Sequence, residues 1–182
     1  VLQRLLSAGN SDEQCLVLTT HSPAIASSAP LASIVLLKDN GDWGTGASSL
    51  GNLGLARTDE EDLQRYLDAS RAEVLFSRGI IFVEGAAEAA LVPVFARSIG
   101  VDLDGRGISV CSVGGTHFGP YVKLARAIGL PFAVITDWDP TDKGPLGLAR
   151  AIELMNDGLV FAGKPMMVTV RFSAPGFPGQ PA

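Results

Sequence analysis

IIFVEG, residues 80–85, is the stretch whose reading decides the fold. Ile80 to Val83 form an unbroken apolar run of strand length. They lack the alternation of a half-wet strand, so the run predicts a strand buried on both faces. Glu84-Gly85 ends it, and a helix follows from about Ala87 to Ser98, closed by Gly100. Upstream, Thr58 with Glu60 and Glu61 reads as a helix start, a hydroxyl cap followed by first-turn acids. Leu63, Tyr66, Leu67, Val74 and Leu75 continue at helical spacing, as two helices broken near Ala69. Downstream, Ile108 to Val113 reads as a second strand running into Gly114-Gly115-Thr116. A helix from Pro120 to Ile128 is closed by Gly129 as a left-handed cap. Pro131 to Thr136 is a third strand, Leu146 to Asn156 a helix, and Met166 to Val170 a fourth strand. This alternation of strand and helix predicts an α/β fold, a parallel sheet with helices on its faces.

The segment before Thr58 is organised differently. Val1 to Gly9 reads as the end of an amphipathic helix. Cys15 to Thr19 is an apolar run read as a strand, Thr20-His21-Ser22-Pro23 turns the chain into a short helix, and Ser33 to Lys38 is a second strand. Residues 39–57 are rich in Gly, Ser and Asn and read as a flexible linker loop. The expected division is therefore 1–38, linker 39–57, a main domain 58–170 and an irregular tail 171–182.

Bulk properties narrow the function. A length of 182 residues suits one domain or one domain plus a fragment of another, and 47% apolar against 18% charged residues supply ample material for a buried core. No apolar run is long enough to span a bilayer, and no secretion signal opens the chain, so a cytoplasmic location without membrane association is expected. The chain opens without Met, which suggests a piece of something longer. Two cysteines, Cys15 and Cys111, lie in apolar runs and read as buried free thiols. A net charge of −5 argues against holding nucleic acid through a broad basic surface. It argues less against a metal-dependent nuclease, because bound divalent cations invert the local field.

In open α/β sheets ligands bind beyond the carboxyl ends of the strands. Here Glu84 follows the first strand, Gly114 and Gly115 the second, and Asp137 and Asp139 the third. Glu88, four residues after Glu84, points the same way from the first helical turn. Clustered carboxylates repel, and a hard divalent cation with a preference for oxygen ligands relieves the repulsion. Four acids around one crevice suit two Mg²⁺ ions and an in-line phosphoryl displacement. Taken singly, each acid has a plainer reading as a turn residue or helix cap; the pairing of Glu84 with Asp137-x-Asp139 favours the functional one. His21 and His117 read as loop histidines. No GxxxxGK[ST] phosphate loop occurs, so ATP hydrolysis by this chain alone is not expected.

The pattern Val83-Glu-Gly…Glu88 with Asp137-Trp-Asp139 resembles the Toprim domain of topoisomerases, primases and related nucleases. Leu67 to Pro93 (LDASRAEVLFSRGIIFVEGAAEAALVP) is similar to the first Toprim strand and preceding helix of the overcoming-lysogenization-defect (OLD) family. Leu16 to Ser27 (LVLTTHSPAIAS) resembles the last stretch of the ABC-type ATPase that precedes Toprim in that family. The resemblance, covering roughly residues 1 to 165, implies a Toprim-like Rossmannoid sheet preceded by the C-terminal fragment of an ABC-type ATPase domain. It implies Glu84, Asp137 and Asp139 as catalytic and, with Glu88, as ligands of Mg²⁺ or Mn²⁺. Gly85, Gly114 and Gly115 would let backbone approach metal or phosphate. His21 would be an ATP switch histidine, with ATP a cofactor only in the full-length protein. The implied partners are DNA, divalent metal and the upstream ATPase domain, with room for a homodimer. Two further family positions, an acid beyond the Asp-x-Asp helix and a later lysine, find no counterpart in VRFSAPGFPGQPA. The expected activity is a metal-dependent DNA endonuclease acting as part of an ATP-dependent nuclease. The alternatives are a topoisomerase or primase module and a non-catalytic metal-binding scaffold of an ATPase.

Overall fold

The computed structural model describes residues 16–39, 44–67, 72–137, 139, 144 and 146–156. In chain order its elements are a helical turn α1 (Pro23–Ala26), strands β1 (Val35–Asp39) and β2 (Thr45–Ser49), helix α2 (Arg57–Tyr66), strand β3 (Gly79–Val83), helix α3 (Ala86–Ser98), strand β4 (Ile108–Ser112), helix α4 (Gly119–Ala127), strand β5 (Phe132–Ile135) and helix α5 (Leu146–Asn156). Short 3-10 turns lie between them.

β3, β4 and β5 form a parallel sheet in the order β4-β3-β5. The central place of β3 follows from its sequence, since an apolar run without alternation is stable only when covered on both faces. Phe82 and Val83 are wholly buried. Val83 stands level with Ser112 on one side and Ile135 on the other, so the carboxyl ends of all three strands finish at the same height. α2 and α4 cover one face: the Tyr121 ring lies 6.1 Å from Phe82, and Tyr66 meets Tyr121 edge-on at 4.6 Å. Leu63, Leu67, Val122, Leu124 and Ile128 fill the space between. α3 lies against β4 and β3. α4 ends at Gly129, whose φ of +63° is the left-handed conformation that the cap requires.

The α/β reading of the region from Thr58 onward therefore matches the structure. Its expected fourth strand at 166–170 and the tail 171–182 lie outside the described residues, as do Val1 to Gly9 and Cys15. Cys111 is a buried free thiol. No helix among the described residues is long and apolar enough to cross a membrane.

The amino-terminal part requires corrections. Leu16 to Thr19 is not in a strand. Val17 is 81% exposed, and among the described residues no segment offers this run a ladder, without which an apolar run has no reason to stay extended. Residues 39–57 are not simply a loop. Thr45–Ser49 pairs antiparallel with Val35–Asp39, from Val35 opposite Ser49 to Asp39 opposite Thr45, and Leu50 is buried just after it. A neighbouring edge with free backbone groups recruits even a Gly- and Ser-rich stretch, because β-propensity yields to context. The second helix expected after Ala69 is a 3-10 turn, Ala72–Phe76, burying Val74 and Leu75. Thr58 is not the cap of α2; Ala56 holds that position, while Asp59 and Glu60 supply acids to the first turn.

Candidate metal centre

The level strand ends bring the predicted acids into one neighbourhood. Glu84, directly after β3, is fixed at both its backbone and its side chain. Its carbonyl accepts hydrogen bonds from Gly115 N–H (2.9 Å) and the Ser112 hydroxyl (3.2 Å), and the same hydroxyl accepts from Gly114 N–H at 3.3 Å. Gly114 at φ +74° and Gly115 at φ +154° give the turn a path that other residues rarely adopt. The visible work of this glycine pair is thus to hold the main chain of Glu84.

The side chain of Glu84 is held from β5 and α5. Its Oε1 accepts from Asp137 N–H at 2.9 Å, from Arg150 Nη1 at 2.8 Å and from the Thr136 hydroxyl in a short contact. Arg150 Nη1 also donates to Thr136 Oγ1 at 2.9 Å, and its Nη2 donates to Asp139 Oδ2 at 2.9 Å. The guanidinium therefore bridges carboxylates from two strand ends, in the forked geometry that suits arginine to such pairs. Asp139 takes φ +41°, and its carbonyl accepts from Leu146 N–H at the start of α5 (3.0 Å). Aspartate is among the few residues that tolerate this region.

Glu88 has a local use. As the third residue of α3 it returns Oε2 to the N–H of Gly85, at 3.0 Å, and caps the helix. A side chain at Gly85 would meet that carboxylate, the built Cβ lying 2.8 Å from Oε2. Asp137 is exposed. Desolvation, then the charges of Glu84, Asp139 and Glu88, raise its carboxyl above the ordinary range, while Arg150 pulls the other way. Asp137 is thus close enough to feel each of the other three acids.

Carboxylate oxygens are the donors a hard dication prefers, so in kind the set fits Mg²⁺ or Mn²⁺. Among the described residues, however, no three such side chains are grouped so as to hold one ion. Arg150 pairs with both Glu84 and Asp139 and so offsets their charge.

The two histidines lie away from this cluster. His117 Nε2 is 3.2 Å from Asp59 Oδ1 at the start of α2. His21 is exposed and lines a groove shared with Ser77, Arg78 and Gly129 to Pro131. Those residues precede β3 and β5, so His21 stands at the end of the sheet opposite Glu84. Sequence reading missed Ser112, Thr136 and Arg150. A hydroxyl near each strand end was a visible signal; nothing local marked Arg150.

Residues 75–139 match the family described as overcoming lysogenization defect protein-like, TOPRIM domain. The likeness is to the TOPRIM domain of that family and covers about a third of this chain. The match runs from just before β3 to Asp139 and so includes all four acids. Uncharacterized protein YbjD of Escherichia coli (strain K12) is 29% identical over 141 residues, which are 78% of this chain and 25% of that protein. Among solved structures, the C-terminal region of the Burkholderia pseudomallei OLD protein is 47% identical, over 49% of this chain and 46% of that one, with a TM-score of 0.45. The C-terminal region of the Xanthomonas campestris pv. campestris OLD protein is 40% identical, over 50% and 44%, with a TM-score of 0.39. The chain spans a quarter of the curated relative's length and less than half of these two solved chains.

Proposed function

We propose that this chain is the Toprim part of a metal-dependent DNA endonuclease that hydrolyses phosphodiester bonds. The observation that carries the reading is the hydrogen bond from Asp137 N–H to Glu84 Oε1, 2.9 Å, which joins the ends of β3 and β5 into one acidic site. Glu84, Glu88, Asp137 and Asp139 are the proposed ligands, and Glu84, Asp137 and Asp139 the proposed catalytic residues. Mg²⁺ or Mn²⁺, when bound, would supply charge stabilisation at phosphorus and an activated water.

The chain's own residues prepare the rest. Thr136, Asp137 N–H and Arg150 all take Oε1 of Glu84, which leaves Oε2 as the oxygen directed to a ligand or a proton. Ser112 and the Gly114-Gly115 turn keep the backbone of Glu84 from moving with it. Positional catalysis needs a functional carboxylate held to about half an ångström, and anchoring of this kind serves that need.

Residues 1–38 are proposed to be the end of an ABC-type ATPase domain, with 39–57 connecting it to the Toprim unit at 58–170. The partial exposure of Leu16, Val17 and Leu18 supports that reading. His21 would meet ATP only in a protein that supplies the phosphate loop. DNA is the proposed substrate and the cytoplasm the proposed location.

The test is nicking of supercoiled plasmid with Mg²⁺ or Mn²⁺ by a protein that extends through the ATPase and the segment downstream. Nicking should be lost in Glu84→Gln and in Asp137→Asn. A second reading, a non-catalytic scaffold, is favoured by one observation: Arg150 already neutralises Glu84 and Asp139. Metal binding without any nicking in the extended protein would select it.

A further inference from the structure

We infer that Arg150 is the acidic site's built-in counterion, a positioning residue that holds Glu84 and Asp139 and gives up Asp139 to a bound metal. The inference rests on the reading of these acids as metal ligands.

The two arms of the guanidinium are unequal. Nη1 faces Glu84 Oε1 at 2.8 Å, Thr136 Oγ1 at 2.9 Å and the Asp137 carbonyl at 3.5 Å. The side chains of Arg150 and Glu84 are only 18% and 17% exposed. Nη2 has one acceptor among the described residues, Asp139 Oδ2 at 2.9 Å, and the Asp139 side chain is 42% exposed. Ion pairs weaken as water reaches them, so the Asp139 arm is the one that yields. A dication competes for the same carboxylate oxygens, and its charge repels the guanidinium. The arm that lets go must be the solvated one, while the Nη1 arm stays to steady Glu84.

Release is coupled to the backbone. The Asp139 carbonyl accepts from Leu146 N–H, at the start of the helix that carries Arg150 four residues later. Asp139, held at φ +41°, and the first turn of α5 therefore respond together. Capture of Asp139 by metal changes the contacts of that turn as well as of the arginine.

The experiment uses the full chain, with Mn²⁺ as the probe, followed by isothermal titration and by thermal melting with and without metal. Arg150→Met removes the charge and keeps much of the length; it should bind Mn²⁺ about tenfold more tightly, because the nearby positive charge is gone. Its metal-free melting point should fall, and added Mn²⁺ should raise it more than it raises the wild type's. Arg150→Lys keeps the charge but not the fork, so it should lower the metal-free melting point while leaving Mn²⁺ affinity near wild type. Equal Mn²⁺ binding by wild type and Arg150→Met overturns the counterion role and leaves the metal site standing. No Mn²⁺ binding by either protein removes both readings. Should Arg150→Met not fold, arginine side-chain NMR of the wild type decides. Mg²⁺ should remove the hindered rotation of the Arg150 Nη2 group, and an unchanged signal at saturating Mg²⁺ overturns the inference.

Discussion

Thr136→Val tests whether the network around Glu84 stabilises the fold as the geometry implies. Thr136 is 3% exposed. Its hydroxyl donates to Glu84 Oε1 and accepts from Arg150 Nη1 at 2.9 Å. Valine has nearly the same shape, so the substitution removes two hydrogen bonds to charged partners and little packing. A bond of that kind contributes about 1.5–3 kcal/mol. Glu84 and Arg150 keep other partners and some water, 17% and 18% exposure, which sets the combined loss near the low end, about 2 kcal/mol. For a domain of this size that is a fall of roughly 4–8 °C in melting point. Urea denaturation followed by circular dichroism measures it directly. Thr136→Ser keeps the hydroxyl and loses one methyl, which should cost about 1 kcal/mol or less. In a Glu84→Gln background the effect of Thr136→Val should shrink, since contacting residues are coupled. A Thr136→Val chain that unfolds at the wild-type midpoint, or a Thr136→Ser chain that is the weaker of the two, would refute the argument that this hydroxyl holds the carboxylate.

Phe82→Ala should destabilise the chain by about 3–5 kcal/mol, because a large buried ring leaves a cavity; its ring is wholly buried, 6.1 Å from Tyr121 and 6.4 Å from Phe132. Ile99→Ala, at a side chain 77% exposed, is the control and should stay within about 0.5 kcal/mol of wild type by the same denaturation curve. Burial lowers the pKa of Lys38 in the folded chain, so the unfolded state binds more protons between the folded and unfolded values and stability rises with pH across that window. Lys38→Met should therefore raise the melting point at pH 7, with the gain shrinking as pH rises toward the ordinary lysine range; a gain that does not change with pH would show that charge burial is not its source.

Sequence alone determined the α/β alternation from Ile80 to Asn156, since each element there is written in its own residues. The unbroken run Ile80 to Val83 can be satisfied only at the centre of a covered sheet, and Gly129 can end α4 only in the left-handed conformation that it takes. It also gave the neighbourhood of the acids: residues that follow parallel strands must emerge at one end, and Glu84 and Asp137 do. The amino-terminal segment was harder to read because its elements depend on partners. Leu16 to Thr19 has strand composition but no ladder among the described residues, whereas Thr45–Ser49 has loop composition and pairs because β1 lies beside it. What only the tertiary structure decided is how the acids are held. Glu88 caps its own helix, the glycine pair secures the Glu84 backbone, and Arg150, 66 residues beyond Glu84, neutralises it. A counterion is chosen by distance in space. Nothing in the local pattern around an arginine on a half-buried helix shows which strand ends lie within reach of its fork.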